Sequence, residues 1–308
     1  MAADRRRHSN LQCFLTRTTP SVPSHSLPKT CFRDLNSLWH PVIKDRIEYF
    51  TLKDLWDQYT EWSVYGAGVP VVLNNGETVV QYYVPYLSAI QIYTSKSPVA
   101  SRNMLEESES DSCSDDSESE KLSRSWDAVS DDFDQDASPT REHLGHLCFQ
   151  YIEYGAPYVR LPLADKVAEL ARTYPGLMTL KSVELSPASW MSVAWYPIYH
   201  IPARRNVKDL SACFLTYHTI SSAFQDNMVG DMEKDVHFTT ENGLELKKWS
   251  NCITLSPFGL ATYKVQGNIW TNPECADHER IRNLYSAAAS WLRQLGVHHH
   301  DFDFFTTH

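Results

Sequence analysis

Thirteen histidines and seven cysteines in 308 residues make metal binding the first chemistry to weigh. Glu142, His143 and His146 stand at helical ligand spacing, as do Cys275, His278 and Glu279. Neither group has a partner cluster at zinc-site distance, so both fit solvated helix-end residues, and no metal or cofactor is expected. His298, His299 and His300 precede the apolar stretch FDFF and are expected in a polar turn. For nucleophilic catalysis, Cys213 and His218 share the run CFLTYH, but their odd separation puts them on opposite faces of a strand, beyond hydrogen-bonding reach. No GxSxG, HExxH or P-loop occurs, and GAG at Gly66 to Gly68 lacks the third glycine and preceding strand of a dinucleotide site. Asp165, Glu169, Glu184 and Asp209 are carboxylates that a fold could gather for acid–base work, which leaves an enzyme open while assigning no catalytic residue.

The aromatic run Trp190, Trp195, Tyr196 and Tyr199 offers either sheet packing or a face for stacking a ligand. Trp190, Trp195, Tyr199 and His200 are therefore the ligand-binding candidates. Nucleic acid is not expected, since the local basic residues are limited to Arg204, Arg205 and Lys208. Phosphorylation is the most interpretable chemistry. Ser108, Ser112 and Ser117 each have an acidic residue three positions later, the pattern of an acid-directed casein-type kinase, and each phosphate adds about −1.5 to −2 charges. They lie in Ser101 to Asp136, which holds 13 acidic and 3 basic residues, a net of −10 that equals the formal charge of the whole chain. The remainder is neutral, so attraction to a basic protein partner belongs to this one segment.

The seven cysteines are odd in number, scattered and without a CxxC pair, which fits a reducing compartment. Arg5, Arg6 and Arg7 open the chain without an apolar leader, and no run of about 18 apolar residues occurs, so a soluble protein of cytoplasm or nucleus is expected.

Several elements must position these groups. Thr51 and Asp54 have capping-box spacing, Phe50 and Leu55 staple spacing, and Leu52, Leu55, Trp56 and Tyr59 repeat at helical period, predicting a helix that stops before Gly66. VPVVLNNGETVVQYYV predicts a hairpin around Asn74, Asn75 and Gly76, with a third strand from Leu87 to Tyr93. Residues 96–140 are rich in Ser, Asp and Glu and predict a disordered insert within one domain whose parts are 31–95 and 141–308, after a basic arm at 1–30. Leu163 to Tyr174 predicts a helix between Pro162 and Pro175. Residues 189–202 read as a strand covered on both sides, with Pro197 pointing to an edge or bulge. Strands follow at 212–220 and 257–265, separated by a polar loop at 225–251. A last helix is expected from Asn272 as cap and Pro273 at N1, through Leu295, to Gly296. Clustered strands of this kind predict an α+β fold with a mostly antiparallel sheet.

The blocks FLTRTTPSVP, YFTLKDLWDQYTEWSVYGAGVPVVLNNGETVVQYYVPYLSAIQIY, LADKVAELARTYPGL, SPASWMSVAWYPIYHIP, ACFLTYHTIS, FGLATYKVQGNIW and HDFDFF, in that order from Asn10 to Phe305, resemble a plant family catalogued as domain of unknown function 789. The resemblance implies a plant, intracellular setting and brings no activity or catalytic residues. Together these readings favour a non-enzymatic interaction module modulated by a phosphorylatable acidic loop. The alternative is an enzyme or small-ligand-binding protein with a pocket at the aromatic strand 189–202.

Overall fold

A computed structural model of the chain describes residues 9–32, 37–40, 45–95, 144–198, 210–223, 252–265, 269–271 and 276–307. The expected insert with Ser108, Ser112 and Ser117, residues 1–8 of the basic arm, Tyr199, His200 and the loop at 225–251 lie outside the described residues, whereas residues 9–30 of the arm are folded, with Leu11 and Phe14 in the core.

Helix α1 (Asn10–Thr18) is capped by Ser9, whose hydroxyl accepts from the Gln12 N–H. Short strands β1 (Ser21–Pro23), β2 (His25–Pro28) and β3 (Arg46–Tyr49) lead to α2 (Leu52–Tyr65). The α2 capping box forms as its sequence dictates: Thr51 Oγ1 accepts from the Asp54 N–H at 3.2 Å, and Asp54 Oδ2 accepts from the Thr51 N–H at 2.9 Å. Then come β4 (Ala67–Val72), β5 (Thr78–Thr94), β6 (His146–Ile152), α3 (Leu163–Leu170), a single turn α4 (Gly176–Thr179), β7 (Trp190–Pro197), β8 (Cys213–Thr219), β9 (Cys252–Thr254), β10 (Gly259–Tyr263), α5 (Asp277–Leu295) and α6 (His300–Thr307).

The main sheet runs β10, β8, β7, β5, with β4 and β6 both on the far side of β5, and every pairing is antiparallel. Two further pairs, β1 with β9 and β2 with β3, stand apart. The expected third strand from Leu87 is instead the second half of one 17-residue strand, β5. It runs through Pro85 because β4 pairs only as far as Tyr83 and β6 only from Ala89, so the missing proline N–H falls in a gap where no ladder bond is needed. Pro197 likewise marks neither an edge nor a bulge. It ends the central strand β7, and the next N–H, from Ile198, reaches the Tyr82 carbonyl at 2.8 Å. Helix α5 starts at Asp277 behind Ala276 in left-handed geometry, φ 54°, while Asn272 and Pro273 lie outside the described residues. Its end at Gly296, φ 65°, follows the sequence expectation.

Alternation along the strands divides the interior in two. Leu87, Ile90, Met191, Val193, Trp195, Phe214 and Leu260 face α1, α2 and α3. Ala89, Trp190, Ala194, Leu215, Tyr217 and Ala261 face α5 and α6. Helix α5 lies close on β10: a Cβ on Gly259 would stand 2.8 Å from Ala288 Cβ, so only glycine fits. The fold is α+β, an antiparallel sheet with helices on both faces. Among the described residues no helix is long and apolar enough to cross a membrane.

Candidate functional site

Among the described residues a buried collection of reactive side chains sits under α6, beside a β-bulge in β5. Leu87 pairs with Val193 and Ala89 with Ser192, leaving Ser88 as the extra residue in β5. Strict alternation would hand residues 87, 88 and 89 to opposite faces in turn. The bulge instead lets Ser88 point toward the same layer as Ala89. Ser88 Oγ lies 2.9 Å from His299 Nε2 and 2.5 Å from Asp301 Oδ2. Arg160 grips Asp301 with both guanidinium nitrogens, at 2.6 and 2.7 Å, and its Nε donates to the Gly155 carbonyl at 2.8 Å. Tyr217 of β8 meets His299 Nδ1 at 2.7 Å, and its ring stacks on Trp190. Ser88, Tyr217, His299 and Asp301 are each at most 1% exposed and Arg160 is 9% exposed.

Serine, histidine and aspartate in contact invite comparison with a hydrolytic triad, and the proton inventory decides against it. Burial pushes the His299 imidazole down to about 4, so the ring is neutral and carries one proton. Burial also holds the Tyr217 phenol well above its ordinary value, so its O–H donates to Nδ1. That leaves the ring proton on Nε2, donated to Ser88 Oγ, and the Ser88 proton goes to the Asp301 carboxylate. Burial raises the Asp301 carboxyl, but the Arg160 guanidinium outweighs it and holds the group ionised, below its ordinary range. In a triad the base nitrogen accepts from the hydroxyl and the carboxylate backs the other ring nitrogen. Here the direction is reversed, the carboxylate sits on the serine, and no reactant can reach it. The cluster is a proton-satisfied strut that ties α6 to β5, β8 and the loop carrying Arg160.

A second chain lies on the opposite face. Trp195 Nε1 donates to Thr216 Oγ1 at 3.1 Å, which meets His218 Nε2 at 2.9 Å, and His218 Nδ1 donates to the Leu255 carbonyl at 2.8 Å. Burial pushes His218 down to about 4 as well. Cys213 belongs to the other layer, where burial pushes its thiol up to about 12. The two residues thus lie apart, as their odd spacing requires.

The remaining sequence candidates scatter. Trp190 and Trp195 are both 0% exposed and belong to opposite layers, so they share no exposed ring surface. Glu169 pairs with Lys166, and Glu184 accepts from the Lys181 N–H. Glu142, His143, Cys275 and Asp209 lie outside the described residues, among which no three His, Cys, Asp or Glu side chains converge as metal ligands. The histidine run is not a polar turn: His298 is exposed, His299 is buried and His300 opens α6. Sequence reasoning passed over Ser88, Arg160, Tyr217 and Asp301, and assigned His299 to a polar turn. The available signal was one cation in the apolar stretch PYVRLPL and one anion before FDFF, two charges that can be buried only against each other.

Concavity lies elsewhere. A groove of about 570 Å³ separates β6 from the end of α5, lined by Gln91, Tyr93, Gln150, Tyr154 and residues 144–147 and 294–298. Gln91 Nε2 donates to Gln150 Oε1 and Gln91 Oε1 accepts from Trp190 Nε1, which fixes the groove floor. Thr94 and His146 are register partners at its rim, so residues 95–143 leave and re-enter the fold at one place.

No curated protein and no solved structure matches the chain. The family described as "Protein of unknown function (DUF789)" matches residues 9–305, nearly the whole length of the fold just described. The chain belongs to the DUF789 family.

Proposed function

We propose that this chain is a non-enzymatic, intracellular plant protein-interaction module, in which the acidic serine-rich segment tunes binding of a partner with a basic surface. The supporting observation is the pairing of Thr94 with His146, which tethers both ends of residues 95–143 beside the open groove. Ser101 to Asp136, within the stretch joined to the fold at this rim, carries ten net negative charges, which would raise the encounter rate of a basic partner. Phosphates on Ser108, Ser112 and Ser117 would deepen the same field. The sealed, proton-satisfied state of the Ser88 cluster favours binding over catalysis.

Affinity capture with the intact chain, with Ser101–Asp136 deleted, and with Ser108, Ser112 and Ser117 all changed to Asp tests this reading. A shared partner that weakens on deletion and strengthens with the aspartates is the expected result. Identical captures from all three folded baits would refute it.

A further inference from the structure

We propose that the free edge of β6 and the groove beside it bind an extended partner peptide rich in lysine or arginine, which joins the sheet as a further strand. This rests on the interaction-module reading and names its surface and the chemistry of the peptide.

Three strands bound the main sheet. Strand β4 carries Pro70, which removes a donor from its edge, and β10 is a five-residue strand packed under α5 and α6. Strand β6, HLCFQYI, is seven residues long and has neither proline nor a Lys, Arg, Asp or Glu. Among the described residues it pairs only with β5. Proteins normally guard such edges with charge, proline or cover, because the unpaired N–H and C=O groups are a template for another strand. An edge with no second strand partner among the described residues, and with His146, Leu147 and Gln150 exposed, has the geometry used in peptide recognition by strand addition.

The groove sets the side-chain preference. A peptide strand on β6 would present alternate side chains toward it. Its far wall is the C-terminal end of the 19-residue α5, which carries the negative pole of the helix dipole. Tyr93 and Tyr154 contribute aromatic surface that attracts cations, and among the described residues no Lys or Arg lines the groove. Lysine and arginine are thereby favoured at the alternate positions, and glutamate is opposed.

The test uses the full chain and a capped peptide of alternating lysine and valine, followed by fluorescence anisotropy and amide hydrogen exchange. Saturable binding that slows exchange at residues 146–152 is expected. N-methylation of all its peptide bonds should abolish it, and Gln150→Lys should weaken it about tenfold with an unchanged circular dichroism spectrum. Equal binding of a glutamate–valine peptide or of the N-methylated peptide overturns the proposal. So does protection, in the free protein, of the β6 amides that point away from β5, and protection of these that grows with protein concentration assigns the edge to a second copy. Segment-dependent capture with an inert β6 edge would sink this inference alone. Peptide binding at β6 without any segment-dependent partner would sink the regulatory reading instead.

Discussion

Ser88 has one proton and two acceptors within reach, and that shortage fixes the character of the buried cluster. Because Asp301 stays ionised against Arg160, it takes the serine proton and leaves His299 as a donor. The pair Arg160–Asp301 is then a buried ion pair whose members depend on each other. Removing one partner strands the other charge in a dry site, a loss typically of about 3–5 kcal/mol, whereas apolar replacement of both can be nearly neutral. Asp301→Ala is expected to lose about that much in urea unfolding, and Arg160→Met with Asp301→Leu to recover a large part of it. A double variant no better than Asp301→Ala would show that Ser88 and His299 carry most of the bond energy.

At the scale of elements, two contacts stand out among those that hold the helical layer formed by α5 and α6 onto the sheet. One is the polar strut through the β5 bulge, and the other is the close approach of α5 to β10 at Gly259. With Ala288 Cβ 2.8 Å from where a Gly259 Cβ would stand, any larger residue must push α5 away. Overpacking of this kind costs about 1–3 kcal/mol. Gly259→Ala should lower the urea midpoint accordingly, and Ala288→Gly in the same chain should restore most of the loss. The groove lies at the far end of α5, so displacement of the helix is also expected to alter its width.

The whole molecule carries a neutral buried histidine on each face of the sheet, which sets its response to acid. His299 and His218 titrate near 6.5 when unfolded and are held at about 4 when folded. Between those values the unfolded chain binds more protons, so stability is full above pH 6.5 and falls as pH drops toward 4, by about 3 kcal/mol for each ring. Asp301, held below its ordinary range, adds a further loss in stronger acid. Urea unfolding from pH 7.5 to 4.5 should show this decline, with His218→Gln removing part of its slope. A flat profile would mean that water reaches both rings.

Much of this architecture was legible in the residues themselves. Local rules were enough for the α2 capping box, the Asn74–Gly76 turn, the strand at β8 and the glycine end of α5, because each depends on neighbours a few positions apart. The opposite faces of Cys213 and His218 followed from the period of two. Where the decision depended on distant partners, the sequence was silent. Pro85 passes through a strand only because β4 and β6 leave a gap, and Pro197 ends a central strand because pairing stops there. Ser88 reaches His299, 211 positions away, only because the end of the chain folds back over the β5 bulge. The sequence by itself determined α2, α3, the end of α5, the hairpin turn and the separation of an acidic segment from the neutral remainder. Tertiary structure alone decided which charges are buried together and which strand edge stays open, since both depend on packing between residues that the chain holds far apart.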